Sequence, residues 1–285
     1  MIEGRRSQTA ERVAIRRAAH QLYDSPLVFE DPLALKVLSE EAAARVPGEA
    51  DEGNRWGRGL RIFIAVRSRF AEEELALAVE RGVRQFVILG AGLDTFAYRN
   101  PFAELRVFEV DHPDTQAWKR ERLRHAGIAI PESLNYAPLD FDRETLAHGL
   151  EAAGFRRDQP AFFSWLGVVP YLTRESAFAT LGFITALPQG SGVVFDYAIP
   201  RAMMGETEQR AFDFLAARVA RAGEPFRLFL EPEQLATDLR ALGFIEIEDM
   251  NSAAIRARWL GEAAGEDARD GRLHGRSGRL LCARL

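Results

Sequence analysis

Seven short runs rich in β-branched and aromatic residues recur along the chain: QFVILG (85–90), LRVFEVD (105–111), LNYAPLDF (134–141), AFFSWLG (161–167), GVVFDYAI (192–199), FIEIEDM (244–250) and RLLCARL (279–285). Most are separated by segments that read as helices. A helix between two strands is the crossover that parallel pairing needs, and such crossovers cover both faces of the sheet. The alternation therefore predicts an α/β fold built on a mainly parallel sheet covered on both faces. The last two runs are joined by a long polar stretch instead of a plain crossover helix, so an antiparallel edge strand is expected there.

The helices carry their own start and stop signals. In EPEQLATDLRALGF, Leu235, Leu239 and Leu242 recur at i, i+4, i+7 behind Pro232, and Gly243 stands where a C-terminal cap belongs. In LTRESAFATLGFITALPQG, Thr173 can cap and Glu175 suits the positive helix end. No repeat, low-complexity tract or Pro/Gly/Ser-rich linker divides the 285 residues. One domain is expected, with a helical N-terminal segment (1–80), a ligand-binding core (81–200), a helical lid insertion (201–230) and the C-terminal part of the sheet (231–285).

Composition removes several classes. A net charge of −5 argues against a non-specific nucleic-acid binder, which needs a basic face to neutralise phosphates. The longest nearly uncharged stretch, AFFSWLGVVPYL, carries Pro170 and falls well short of the ~20 residues of a membrane span. The N-terminal stretch lacks the apolar core of a secretory signal, and with a single cysteine the expectation is a cytoplasmic protein. Cys282 sits in an apolar run and reads as a small buried hydrophobe. The five histidines and one cysteine form no metal-ligand spacing, so no metal is predicted.

The loop after the first run is the most informative. In VILGAGLDT, Gly90 and Gly92 let the backbone leave a strand tightly and approach a ligand with no Cβ in the way. A dinucleotide fingerprint also wants a small residue at its sixth position, where this chain has Thr95, and Asp94 puts negative charge where a pyrophosphate would sit. The second run ends in Glu109 and Asp111, about twenty residues after Gly90, where an acid can accept from ribose hydroxyls. The third ends with Asp140 and Phe141, a carboxylate for an exocyclic amine and a ring to flank a purine. Each residue also has a plain structural reading, Asp140 as the cap of a helix starting near Arg143 among them. No phosphate-gripping loop appears. The ligand reads as a nucleoside without phosphates, a description that S-adenosylmethionine fits.

With these residues in hand, the chain resembles the leucine carboxyl methyltransferase family, more closely its bacterial branch of S-adenosylmethionine-dependent methyltransferases. The likeness covers most of the chain and rests on QTAERVAIRRAAHQLYDSPLVFEDPLAL, VRSRFAEEEL, VILGAGLDTFAYR, FEVDHPDTQAWKRERL, PLDFD, PYLT and LRALGF. It implies a doubly wound, mostly parallel, seven-stranded sheet of the Rossmann-like, class I methyltransferase-like type, with S-adenosylmethionine over its carboxyl edge and an N-terminal helical segment that helps close the site. Arg67 in VRSRF would pair with the methionine carboxylate, as a guanidinium fork suits. Gly90, Ala91 and Gly92, with Asp94 in the same loop, would pass beneath the methionine portion, Asp111 would take the ribose, and Asp140 and Phe141 would hold adenine. One departure stands out. Where the family commonly has an acid in a pattern like A-E-G-L-L-x-Y-L, this chain reads SWLGVVPYL, with Leu166 at the glutamate position.

The implied reaction is methyl transfer, with O-methylation of a carboxylate or hydroxyl on a small molecule or a carrier-tethered biosynthetic intermediate as the expectation. A hydroxyl acceptor needs a base, and the candidates are His112 and Tyr171, with His274 more distant. The acceptor pocket is expected between Trp165, Leu166 and Tyr171 and the insertion that holds Met203, Met204, Phe212 and Phe214. Two rival readings stay open: an NAD(P)-dependent oxidoreductase, and a methyltransferase-like subunit that binds the nucleoside without catalysis.

Overall fold

The computed structural model describes residues 8–50, 55–140, 144–221, 223–261 and 278–285. Its strands are β1 (Gln85–Leu89), β2 (Arg106–Asp111), β3 (Leu134–Pro138), β4 (Ala161–Trp165), β5 (Gly192–Ala198), β6 (Glu246–Met250) and β7 (Gly278–Arg284). The α-helices among the described residues are α1 (Gln8–Tyr23), α2 (Glu40–Ala43), α3 (Arg55–Glu80), α4 (Pro113–His125), α5 (Leu146–Ala152), α6 (Arg174–Thr185), α7 (Glu206–Arg221), α8 (Pro232–Leu242) and α9 (Ser252–Trp259). None is long and apolar enough to cross a membrane.

The strands form one sheet in the order β3-β2-β1-β4-β5-β7-β6. Parallel pairing sets Leu89 beside Val110 and Ile88 beside Ser164. From β1 the chain builds outward through β2 and β3, then returns to the other side with β4 and β5. The order thus reverses between β1 and β4, where an open α/β sheet leaves a crevice at its carboxyl edge.

Among the described strands only β7 runs against the rest, paired antiparallel to both β5 and β6. It lies inside the sheet, not at the edge where the sequence predicts an antiparallel strand. Burial explains the difference: Leu280, Leu281, Cys282 and Ala283 are all buried, whereas Glu246 in β6 is exposed and Ile247, Glu248 and Asp249 are half-buried. The apolar strand takes the interior position and the acidic one takes the rim, which also discourages edge-to-edge pairing.

Side chains alternate across the sheet and feed two apolar layers. Val87, Leu89, Phe108 and Phe163 pack under α5, α6 and α8, while Phe86, Ile88, Val107 and Phe162 pack under α3 and α9. A third cluster joins α1 to Leu93 and to Leu123 of α4. Each large side chain so buried contributes about 1.5–3 kcal/mol of transfer free energy. The helix signals hold where they can be compared: Thr173 accepts from the Ser176 N–H at 3.2 Å, and Gly243 ends α8 at φ +113°. The helix after β3 starts at Leu146 under a Thr145 cap. Asp140 is therefore not its N-cap, although its carbonyl accepts from the Glu144 N–H at 2.9 Å.

Candidate functional site

Three adjacent strands end side by side, β1 at Gly90, β2 at Asp111, and β3 leading into Leu139 and Asp140. The glycine loop and the acid form one hydrogen-bonded unit. The Gly90 and Ala91 N–H groups donate to the Val110 carbonyl at 2.8 and 3.1 Å. The Gly92 N–H donates to Asp111 Oδ2 at 2.6 Å, and the His112 N–H to Asp111 Oδ1 at 2.7 Å. An ionised carboxylate has about four acceptor positions, so half-buried Asp111 keeps capacity for a ligand hydroxyl. Burial raises its carboxyl above the ordinary value, opposed by those two backbone N–H bonds. Gly90 has φ +69°, and a Cβ there would lie 2.4 Å from Val168 Cγ2, so any side chain collides with the loop after β4.

Glu109, two residues earlier on β2, sits deeper and is closed to solvent. Its carboxylate is 2.8 Å from Lys119 Nζ, and burial pushes its pKa up to about 7 in spite of that cation. Asp94 accepts from the Phe96 N–H at 2.8 Å and stands 3.4 Å from Arg17 Nη1. Burial alone would raise its carboxyl, but Arg17, then Lys119 and Arg99, hold it below the usual range. The cations near the loop are thus already paired to acids. An edge with free acceptor capacity at Asp111, and with Arg17 and Lys119 already committed, suits a nucleoside without phosphates, as S-adenosylmethionine is.

α1 lies across this edge. Its Arg17 donates to the Leu93 carbonyl at 2.6 Å and pairs through Nε with Asp31 at 2.9 Å. Asp31 also accepts from Thr95 Oγ1 at 2.7 Å, which gives Thr95 a structural task. Just past the end of α1, Asp24 accepts from Arg61 of α3 at 2.7 and 2.8 Å and pairs with His20 at 2.8 Å. Burial would raise the Asp24 carboxyl, yet the bonds from Arg61 and His20 outweigh it and lower it to about 2.

A cavity of about 130 Å³ opens where α1, α3 and α7 meet the carboxyl ends of β4 and β5. Helical spacing turns one face of each helix to it: Arg12, Val13 and Arg16 from α1, Leu60, Phe63, Ile64 and Arg67 from α3, and Leu215, Arg218 and Val219 from α7. Arg67 is buried and donates to Asp196 Oδ2 at 3.1 Å, and the other oxygen of Asp196 accepts from the Gly167 N–H. The guanidinium lies against Gly167, where an added Cβ would be 2.9 Å from both Nη atoms. Tyr171 forms part of the wall, and burial raises its phenol far above the usual value. The cavity adjoins the glycine loop through one segment, since Val168 touches Gly90 while Gly167 carries Arg67.

Of the residues singled out from sequence, Arg67 and Tyr171 line this cavity, and Gly90, Ala91, Gly92, Asp94, Asp111 and Asp140 sit along the neighbouring strand ends. Phe141 and His274 lie outside the described residues. His112 caps α4, its Nδ1 accepting from the Asp114 N–H at 3.2 Å, and is not in the cavity wall. Of the seven residues expected around the acceptor, Tyr171 lines the cavity and the other six do not, with Phe214 exposed. Trp165 is buried against Phe195 in the layer under α5, α6 and α8, and half-buried Leu166 packs into the layer under α3. Met203 is exposed, and Met204 is buried. Phe212 stands one ring behind the wall, stacked at 5.6 Å on Phe226, which does line it. Sequence reading missed Arg12, Arg16, Asp196 and Arg218. Asp196 had a signal, a lone carboxylate inside the apolar GVVFDYAI, because a buried acid must find a partner.

The family described as leucine carboxyl methyltransferase matches residues 10–185. A Bacillus subtilis (strain 168) protein named "Putative S-adenosyl-L-methionine-dependent methyltransferase YktD" is 31% identical over 262 residues, 84% of this chain and 86% of that one. A Mycobacterium tuberculosis (strain ATCC 25177 / H37Ra) protein named likewise is 33% identical over 210 residues, 70% of this chain and 67% of its own length. Among solved structures, a DUF574 family protein of Streptomyces avermitilis aligns with a TM-score of 0.56 at 17% identity, covering 96% of each chain. A "putative methyltransferase" of Thermobifida fusca YX aligns with a TM-score of 0.56 at 19% identity, covering 91% of this chain and 96% of that one. These structures share the fold. Matched over more than half its length, and alike to the Bacillus relative across most of the rest, the chain belongs to the leucine carboxyl methyltransferase family.

Proposed function

We propose that the protein transfers a methyl group from S-adenosylmethionine to a carboxylate oxygen of a small acidic acceptor held in the cavity between α1, α3 and α7. The donor contributes a sulfonium methyl; the acceptor oxygen forms the new C–O bond while the S–CH₃ bond breaks and its electron pair stays on sulfur. Gly90 and Gly92 let the loop pass close beneath the donor, Asp111 accepts from the ribose, Asp140 reaches the adenine, and Arg67 faces the methionine carboxylate. Holding donor and acceptor in line and excluding water supplies up to ~7–11 kcal/mol of the barrier reduction.

The charge of the cavity wall carries this reading. It holds four arginines against one aspartate, Asp196, which Arg67 and the Gly167 N–H already occupy. Among the described residues neither candidate base is ready to take a proton there, because burial keeps Tyr171 a phenol and His112 is turned to α4. A carboxylate is ionised at neutral pH and needs no base, whereas a hydroxyl does. Incubation with methyl-tritiated S-adenosylmethionine and a panel of carboxylic acids and phenols tests it. Methyl esters release labelled methanol in mild base and aryl ethers do not. Base-labile product from the acids is expected; label found only in base-stable product, or only in peptides, would sink the proposal.

A further inference from the structure

Asp196 balances Arg67, but the other arginines of the wall are differently placed. Arg12 and Arg16 stand one turn apart on α1, and Arg218 comes from α7. Arg16 is 6% exposed, and its Nε lies 3.3 Å from Glu49 Oε2 without a hydrogen bond; neither atom has another partner. Among the described residues no carboxylate stands within ion-pair distance of the Arg12 or Arg218 side chain. Glu224, close to this end of the wall, accepts from Thr9 Oγ1. Burial, and after it the charges of Arg218 and Arg12, hold the Arg16 guanidinium below its usual range against the pull of Glu49. Buried Arg16 and half-buried Arg12 and Arg218 gather like charges on one wall, an arrangement that an anion with several oxygens relieves through charge-assisted, forked hydrogen bonds.

Position separates this group from the site of methyl transfer. Arg67, on α3, is tied to the sheet end of the cavity by Gly167 and Asp196, while the other three come from α1 and α7. The rest of the wall includes apolar side chains, Leu60, Phe63, Leu215, Val219 and Phe226 among them. We propose that Arg12, Arg16 and Arg218 form an anion subsite for a second charged group of the acceptor, a carboxylate or a phosphate, separated by an apolar body from the carboxylate that takes the methyl. This rests on the reading of the cavity as the acceptor site. It narrows the substrate class to acids with two anionic ends and an apolar middle.

The test is calorimetric titration of the full chain, saturated with S-adenosylhomocysteine, with inorganic phosphate and separately with malonate. Wild type is expected to bind at least one of them, and Arg218→Gln and Arg12→Gln to weaken that binding by about tenfold or more, with S-adenosylhomocysteine affinity unchanged as the check on folding. Tighter phosphate assigns a phosphoryl group to the subsite, and tighter malonate assigns a second carboxylate. The subsite is overturned if the saturated protein binds neither anion, if the variants bind as wild type does, or if the anions displace S-adenosylhomocysteine, which would give these arginines to the methionine carboxylate. Arginine-dependent anion binding alongside only base-stable methylated products would remove the carboxylate reading and leave the subsite standing.

Discussion

Asp111 shapes the glycine loop, and the proposed function gives it a second task in binding. Its two oxygens hold the Gly92 and His112 N–H groups, so the loop is in place before a ligand arrives, and the proposed ribose contact would use the remaining lone pairs. Asp111→Ala is expected to weaken S-adenosylhomocysteine binding by about 1–3 kcal/mol, and Asp111→Asn, which keeps one acceptor oxygen, by less. Calorimetry reads both, and equal affinity in all three proteins would remove the assignment. Gly90→Ala places a Cβ 2.4 Å from Val168 Cγ2 on a backbone at φ +69°. A loss of about 1–3 kcal/mol in urea unfolding is expected, of which the companion change Val168→Ala recovers the steric share and leaves the cost of the left-handed conformation. These residues are legible in the sequence because they sit at strand ends, where the run of apolar residues stops and the next side chain must face the edge. Glu109 is equally acidic and one pleat away, yet it is buried against Lys119, and no local pattern distinguishes the two depths.

At the scale of elements, α1 is held by ion pairs to the glycine loop at one point and to α3 at another. Asp24 makes the second, and its carboxyl lies near pH 2 in the folded protein against 3.8 as an ordinary aspartate. A group whose folded value is depressed contributes its stability above the unfolded value and loses it as pH falls toward the folded one. Stepped urea unfolding of wild type and Asp24→Asn should therefore show a constant gap above about pH 5 that closes between about pH 4 and 2. A gap that does not change over that range would show that the Asp24–Arg61–His20 cluster contributes nothing through ionisation. The strands themselves are legible from composition, but their order is not. RLLCARL reads as a buried strand in any interior position, and only the half-exposed acids of β6 decide that β7 takes the place between β5 and β6.

Across the whole molecule, the cavity draws its walls from α1, α3, α7 and two strand ends, segments far apart in the sequence. That is why its arginines stay hidden in a linear reading: Arg12, Arg16 and Arg218 each look like a solvated helix charge until the helices are packed. The same architecture predicts two separable responses in hydrogen exchange. S-adenosylhomocysteine alone should slow exchange in the Gly90–Gly92 loop and the adjoining turns of α1, and an anion or acceptor added to that complex should extend protection to α7. Protection of α7 by the nucleoside alone would mean that the cavity and the strand edge are one site.

β5 and β6 do not pair with each other; β7, which follows both in the sequence, is the strip that joins them. During synthesis the first five strands can therefore assemble while β5 still shows an open edge, and β6 lacks its partner until β7 leaves the ribosome. A message cut short within that strand removes the central seam of a half-sheet, and the product it leaves is a client for chaperones and proteases.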